Sequence, residues 1–321
     1  QSAKIVDTVC GMIKSKVFIT GASGCVGHYV LDLFANNPNY DCYLLARTPG
    51  KIKIKASNFF PIKGNLEFIE AHKTLISEMN YLIHMATDWS NSEYAFLLNV
   101  TKSHKMFSYL NPDICKKVVY FSTASILGKN NSPIKEAGTL GTGYVSSKYK
   151  AYTSLDTLQI SDRIVTLFPT LVFGGDKNHP YSHVSAGIVP NKKYLTLLRF
   201  IYMDARFHFL HSKDIAKVTK YVMENPVDQS SYVLGNKVLE GKDVIEILCN
   251  VFGARIPFRI KINSTFLMFL AKLLRIDIAS WDKHCIENPY FEYDTVSPDH
   301  FGMTTAYPSL KDMVIELKNQ G

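Results

Sequence analysis

The chain lacks the features that would mark a metal-stapled, secreted or membrane-spanning protein. Its six cysteines, Cys10, Cys25, Cys42, Cys115, Cys249 and Cys285, are widely spaced, with no C-x-x-C pair and no clustered His/Cys ligand set. That pattern argues against structural zinc, leaves no metal to expect, and reads as reduced thiols in a cytoplasmic setting. No apolar run is long enough to cross a bilayer. The longest, FLMFLAKLL at 266–274, is about half of a span and carries Lys272 inside it. It reads as a buried or substrate-covering helix, with a membrane-surface helix as the alternative.

Other absences narrow the class further. Residues 1–11 (QSAKIVDTVCG) hold no apolar core of the length a cleavable signal peptide needs, and Met12 is a candidate natural start. There is no low-complexity tract and no arginine-rich arm. The one local concentration of lysine, KIKIK at 51–55, alternates with isoleucine as a strand or a solvated edge would, so nucleic acid is not an expected partner. With 46% hydrophobic and 20% charged residues, the 321-residue chain has the composition of a compact soluble protein. Its net charge of +8 and pI of about 9.0 favour small anionic partners, such as a phosphorylated cofactor or a nucleotide-linked substrate.

What is present is an alternation of apolar runs and helix-period segments. KVFIT (16–20), CYLLA (42–46), YLIHMA (81–86) and KVVYFST (117–123) read as strands, with helical stretches between them. Strands apolar throughout are buried on both faces, as in a parallel sheet flanked by helices. The fold class expected is therefore α/β, a Rossmann-type doubly wound sheet. RIVTLFPTLVFG (163–174) supplies a further core strand, and 175–206 reads as an irregular loop excursion. The division expected is a dinucleotide-binding core at 12–174 and a smaller, mixed substrate-binding module at 175–321, with 207–225 returning to the core. SYVLGN, the helix DVIEILCNVF, the strand IPFRIKI and the helix FLMFLAKLL are grouped in that terminal module.

The first strand runs into TGASGCVG, with Gly21, Gly24 and Gly27 at three-residue spacing before a helix. Glycine permits the tight turn and lets backbone N–H groups approach a pyrophosphate at the helix's positive end. Gly21, Ser23, Gly24, Cys25, Val26 and Gly27 are the expected phosphate cradle. The second strand ends in Leu45-Ala46 followed by Arg47, with Lys51 nearby, while Asp41 sits at the strand's other end. An acid at the strand's end would bond a ribose 2′-hydroxyl, whereas a guanidinium pairs a 2′-phosphate. NADP(H) is the cofactor expected, with NAD as the alternative.

Thr123 closes the strand at 117–123, at the edge where open parallel sheets bind ligands. Tyr144 and Lys148 in YVSSK lie at i and i+4, on one face of a helix. Reducing a carbonyl needs a proton donor for the developing alkoxide, and oxidising an alcohol needs the reverse. A free phenol, with a pKa of about 10, is a poor base at neutral pH, but an adjacent ammonium and a positive oxidised nicotinamide would both favour phenolate. The expectation is a Tyr144 made acidic by Lys148.

These pieces, with LIHMA (82–86), Asn99 in LLNVTKS, FSTASILG (121–128), FPTLVFG (168–174) and FLHSKD (209–214), resemble an extended short-chain dehydrogenase/reductase of the NAD-dependent epimerase/dehydratase family. The resemblance implies that Tyr144 is the acid/base and that Lys148 binds the nicotinamide ribose and tunes it. Thr123 would orient the reacting oxygen, and Asn99 would support a water relay near the lysine. Pro169, Thr170, Leu171 and Val172 would line the nicotinamide, and Asn65 and Leu66 would stand around adenine. Met85 and Ala86, at the end of the strand YLIHMA, and Thr87 just after it complete the expected cofactor contacts. Leu127 and Phe173 replace tyrosines common in the family, and Ala124 and Ser125 replace the acid that 4,6-dehydratases carry, which disfavours that reaction. The family often dimerises through the helix bearing this Tyr-x-x-x-Lys pair, so a homodimer is a further expectation.

Three functional readings follow. The first is an NADP(H)-dependent dehydrogenase or reductase acting on a ketone or secondary alcohol, including a hydrophobic one. The second is a sugar-nucleotide epimerase with tightly bound NAD, and the third a non-catalytic dinucleotide-binding or redox-sensing protein. His183 and His211 are candidates for substrate contact or for structural hydrogen bonding, Trp89 for substrate contact or packing, and Asp214 is expected to cap the helix that follows it.

Overall fold

The computed structural model describes residues 14–90 and 92–320. Cys10 and the candidate start at Met12 lie outside the described residues. Seven strands form the main sheet: β1 (Ser15–Thr20), β2 (Tyr40–Ala46), β3 (Phe59–Lys63), β4 (Tyr81–His84), β5 (Lys117–Phe121), β6 (Ile164–Pro169) and β7 (Ser231–Leu234). Their order is β7-β6-β5-β4-β1-β2-β3, and every pairing is parallel. The order reverses between β1 and β4, which opens a crevice at their carboxyl ends.

Apolar runs without alternation give this sheet two buried faces. Val17, Ile19, Leu44 and Val119 pack into one core cluster. Phe18, Leu45, Leu82 and Val118, their neighbours along the same strands, pack into another. The helix Cys25–Phe34 lies on the first face beside the helix Ser212–Glu224, whose apolar stripe includes Ile215, Val218 and Val222.

Several elements differ from the sequence reading. KIKIK forms no strand; Ile52 turns into the core while Lys51, Lys53 and Lys55 face solvent. The outer strand β3 is instead FFPIK, which contains Pro61. Proline lacks the N–H a central strand would donate, and an edge strand with one neighbour tolerates it. SYVL is not part of a terminal module but the outer strand β7, paired to β6. The run at 163–174 divides at Thr170: β6 ends at Pro169, and Leu171–Phe173 pairs with Phe209–His211 in a separate ribbon.

The excursion at 175–206 carries the helices His183–Asn191 and Leu195–Leu198 and the short strand Ile201–Tyr202. Of IPFRIKI, only Ile260–Lys261 pairs, against Ile201–Tyr202. The helix Ser264–Leu273 forms as expected but is not buried. Ala271 is its one buried residue, and Phe266, Phe269 and Leu273 are each more than half exposed.

Asp214 does not cap its helix. His211 does, accepting from the Lys213 N–H at 3.1 Å. Asp214 is fully buried and accepts from Ala306 N at 2.7 Å and Tyr307 N at 2.9 Å, tying the C-terminal segment to the core. Charge-assisted bonds of this kind contribute about 1.5–3 kcal/mol. Asp214→Ala is expected to lower unfolding free energy by about that much in urea titration; an unchanged midpoint would contradict this anchoring.

Candidate active site

The turn after β1 is shaped for an anion. Gly21 has φ +80°, and a Cβ there would sit 2.6 Å from Ala86 N and 2.7 Å from Met85 C. A Cβ on Gly27 would meet Gly21 O at 2.3 Å, so the helix packs directly on the turn. Gly24 N donates to Gly21 O at 3.0 Å and closes it. The helix Cys25–Phe34 begins with no side-chain cap and no acid in its first turn. Its free N–H groups are therefore left for a ligand such as pyrophosphate.

Gly21, Ser23, Gly24, Arg47, Asn65 and Leu66 line a cavity of about 260 Å³, together with Met85, Ala86 and Thr87. This donor set and the space where a side chain is forbidden fit a dinucleotide. The side chains of Cys25 and Val26 pack toward the core, and their backbone N–H groups are among those at the uncapped helix start. Cys25 Sγ lies 3.2 Å from Ser212 Oγ, and burial pushes its thiol up to about 11. Asn65 is an N-cap, accepting from Glu67 N at 3.4 Å. Arg47 is exposed and forms no ion pair among the described residues. Asp41 pairs with Lys14 at 3.1 Å. The only carboxylate lining the cavity among the described residues is Asp88, on the loop after β4.

Thr123, just past β5, and Tyr144, on the helix Gly143–Thr153, meet at the next stage of the crevice. That helix is capped by Thr142, whose hydroxyl accepts from Val145 N at 3.4 Å. Lys148 is 2% exposed, donates to Phe121 O at 2.7 Å and stands 5.0 Å from the centre of the Tyr120 ring. Burial pulls its pKa down to about 7.

Tyr144 is not acidic here. Burial pushes its phenol up to about 12, and a side-chain hydrogen bond with Thr123 works in the opposite direction without cancelling it. The expectation of a lowered phenol pKa thus fails for the free protein. The ammonium that should tune the phenol is directed at the Phe121 carbonyl, and an apolar surround disfavours both charges.

Asn99 sits in a π-helical stretch, Leu97–Lys102, and is 1% exposed. Its side chain donates to Asp88 O at 3.0 Å and Ser147 Oγ at 2.9 Å, and accepts from Asp88 N at 2.9 Å and Thr87 Oγ1 at 3.2 Å. It clamps the 87–88 loop onto the helix of Tyr144. Trp89, next on that loop, stacks on the Tyr144 ring at 3.7 Å and 15°, with the His183 ring 5.2 Å away. His211 is structural, 3.0 Å from Glu316.

A second cavity, of about 180 Å³, opens beside Thr123. Pro169, Thr170 and Leu171 line it with Ala124, Ser125, Phe207, His208, Trp281, Cys285, Phe291 and Tyr293. The partly buried Val172 side chain packs against the core. Motif reading missed Ser125, His208, Trp281 and Tyr293 as lining residues, because they are scattered along the chain with no common spacing. Leu127 and Phe173, which depart from the family pattern, are buried in core clusters.

The family model of the NAD dependent epimerase/dehydratase family matches residues 17–235. The chain belongs to that family. Among solved structures, gox2253 superposes with a TM-score of 0.72 at 17% identity, covering 96% of this chain and 99% of that one. WbmG of Bordetella bronchiseptica, in complex with NAD and UDP, gives 0.66 at 15% identity over 94% and 92% of the chains. The UDP-glucose 4-epimerase of Thermotoga maritima, with UDP-glucose, gives 0.66 at 15% over 94% and 97%. At such identities the likeness is one of fold. No curated protein matches the sequence.

The Lys148 shift has a stability consequence. Between pH 7 and the ordinary lysine value of 10.5, the unfolded chain holds a proton that the folded one has released. Stability contributed at this site therefore rises with pH through that window. The melting temperature of the wild type relative to Lys148→Met is expected to climb from pH 7 to 10; a pH-independent difference would contradict the assignment.

Proposed function

We propose that the protein is an NAD(P)-dependent oxidoreductase acting at a carbonyl or secondary alcohol carbon, with NADP(H) preferred. The cofactor, when bound, supplies or accepts the hydride. Tyr144 Oη gives its proton to the oxygen of the carbonyl being reduced, or takes one from the alcohol being oxidised. Thr123 holds that oxygen, Lys148 binds the nicotinamide ribose, and Trp89 shields the phenol from water. Asn99 fixes the loop that carries Trp89.

The observation carrying net redox on an apolar substrate is the second cavity. No charged side chain lines it. His208 is engaged with Asn236 O at 2.7 Å and Tyr293 N at 3.1 Å, and Tyr293 donates to Ala124 O at 3.0 Å. Ser125 beside Thr123 accepts the Thr123 hydroxyl proton at 3.2 Å. In a separate cavity, lined by 202–206 and by Glu240 and Lys242, the cations are paired internally: Arg206 with Glu292, and Lys242 with Glu240 at 2.7 Å. A nucleotide diphosphate would have to displace those carboxylates, whereas an apolar ketone would not. A sugar-nucleotide epimerase is the second reading, favoured by the ligands in the similar structures, WbmG with UDP and the epimerase with UDP-glucose. Arg47, unpaired at an acid-free strand end, supports the preference for a 2′-phosphate.

Tyr144→Phe is expected to leave NADPH affinity nearly intact and reduce turnover at least about a hundredfold; unchanged turnover on a verified substrate would reject the acid/base role. Arg47→Asp is expected to weaken NADPH binding far more than NADH binding in titration calorimetry. Equal losses would refute the cofactor preference.

A further inference from the structure

Two segments that meet through the pairing of Ile260–Lys261 with Ile201–Tyr202 share an unusual composition. Residues 192–203 and 253–276 contain eight cations and no acidic residue. Among the described residues, ten of the 21 exposed large hydrophobic side chains fall in the same two segments, so the apolar exposure is concentrated rather than scattered. A concentrated patch of this kind marks an interaction surface.

On the helix Ser264–Leu273, Phe266, Phe269 and Leu273 lie at i, i+3 and i+7, on one face. They are 51%, 62% and 66% exposed, and Ile276 just beyond is 58% exposed. Phe258 and Ile260, at 59% and 58%, continue the surface toward the strand pair. Lys272 and Arg275 flank the face, and Arg255 lies at the base of the segment. None of these three forms an ion pair among the described residues.

We infer that this face docks on a membrane surface containing anionic lipid. The apolar side chains would enter the headgroup region while the cations reach phosphates, the arrangement of an interfacial helix. Charge selects this occupant over a second copy of the chain. Arg259 and Lys261 pair with Glu246 and Asp204 outside these segments, and the other six cations form no ion pair among the described residues; a face-to-face pair would bring two such sets together, whereas anionic headgroups supply counter-charges. No helix among the described residues is long and apolar enough to cross a membrane, so the contact is at the surface. The chain continues from this face into the helix Ser280–Glu287, which carries Trp281 and Cys285 to the apolar cavity. The inference does not depend on the reaction proposed above, since none of the exposed residues it rests on has a role there.

The test is co-sedimentation of the full chain with phosphatidylcholine vesicles, with and without about one-third phosphatidylserine, at low salt. Binding is expected only with phosphatidylserine and should weaken as salt is raised. The double variants Phe266→Ser with Phe269→Ser, and Lys272→Glu with Arg275→Glu, should each bind at least about tenfold more weakly while keeping the wild-type melting temperature. Wild type remaining in the supernatant, or undiminished binding by both double variants, would overturn the inference. So would a dimer, without vesicle binding, that the phenylalanine variant converts to monomer.

Discussion

The site depends on a buried cation. Lys148 places its ammonium where water is excluded, with the Phe121 carbonyl and the Tyr120 ring as its surroundings. Desolvation of a charge is expensive, and one carbonyl bond offsets only part of it; the fall of its pKa to about 7 expresses the remainder. The same bond joins the end of β5 to the helix Gly143–Thr153. Thr123 lies two residues past Phe121 and Tyr144 one turn before Lys148, so the contact that strains the lysine also sets the hydroxyl against the phenol.

Around this pair the molecule divides its tasks. The glycine turn and the uncapped helix end offer backbone N–H groups and space to an anion, while the second cavity offers aromatic and aliphatic walls. Trp89 is stacked on the phenol, on the loop that the Asn99 clamp holds. The free protein keeps Tyr144 protonated, with burial as the dominant influence. A phenol in that state is ready to donate a proton; to accept one, it needs added positive charge, which an oxidised nicotinamide carries.

Much of this was legible in the sequence, for identifiable reasons. Gly21 and Gly27 could be read because backbone geometry leaves no other residue at those positions. The inner strands were legible because burial on both faces writes an unbroken apolar run. β3 was not, since Pro61 reads as a breaker and only its edge position makes it acceptable. The exposure of Phe266 and Phe269 was hidden, because an apolar helix looks the same whether or not a neighbour covers it. Asp214 yields the expected capping role to His211 because its own partners lie more than ninety residues away, at Ala306 and Tyr307. The direction of the Tyr144 shift depended on where the ammonium points, which i, i+4 spacing does not fix.

Burial holds Tyr144 as a neutral phenol in the free protein; on the proposed reading it becomes a base only when positive charge arrives beside it. Its ionisation can be followed by nuclear magnetic resonance of isotope-labelled tyrosine, with Tyr144→Phe identifying the signal. The account predicts a phenol that stays protonated well above pH 10 in the free protein and titrates at least about two units lower with NADP⁺ bound. A phenol already ionised near neutral pH without cofactor, or one whose titration NADP⁺ leaves unmoved, would contradict it.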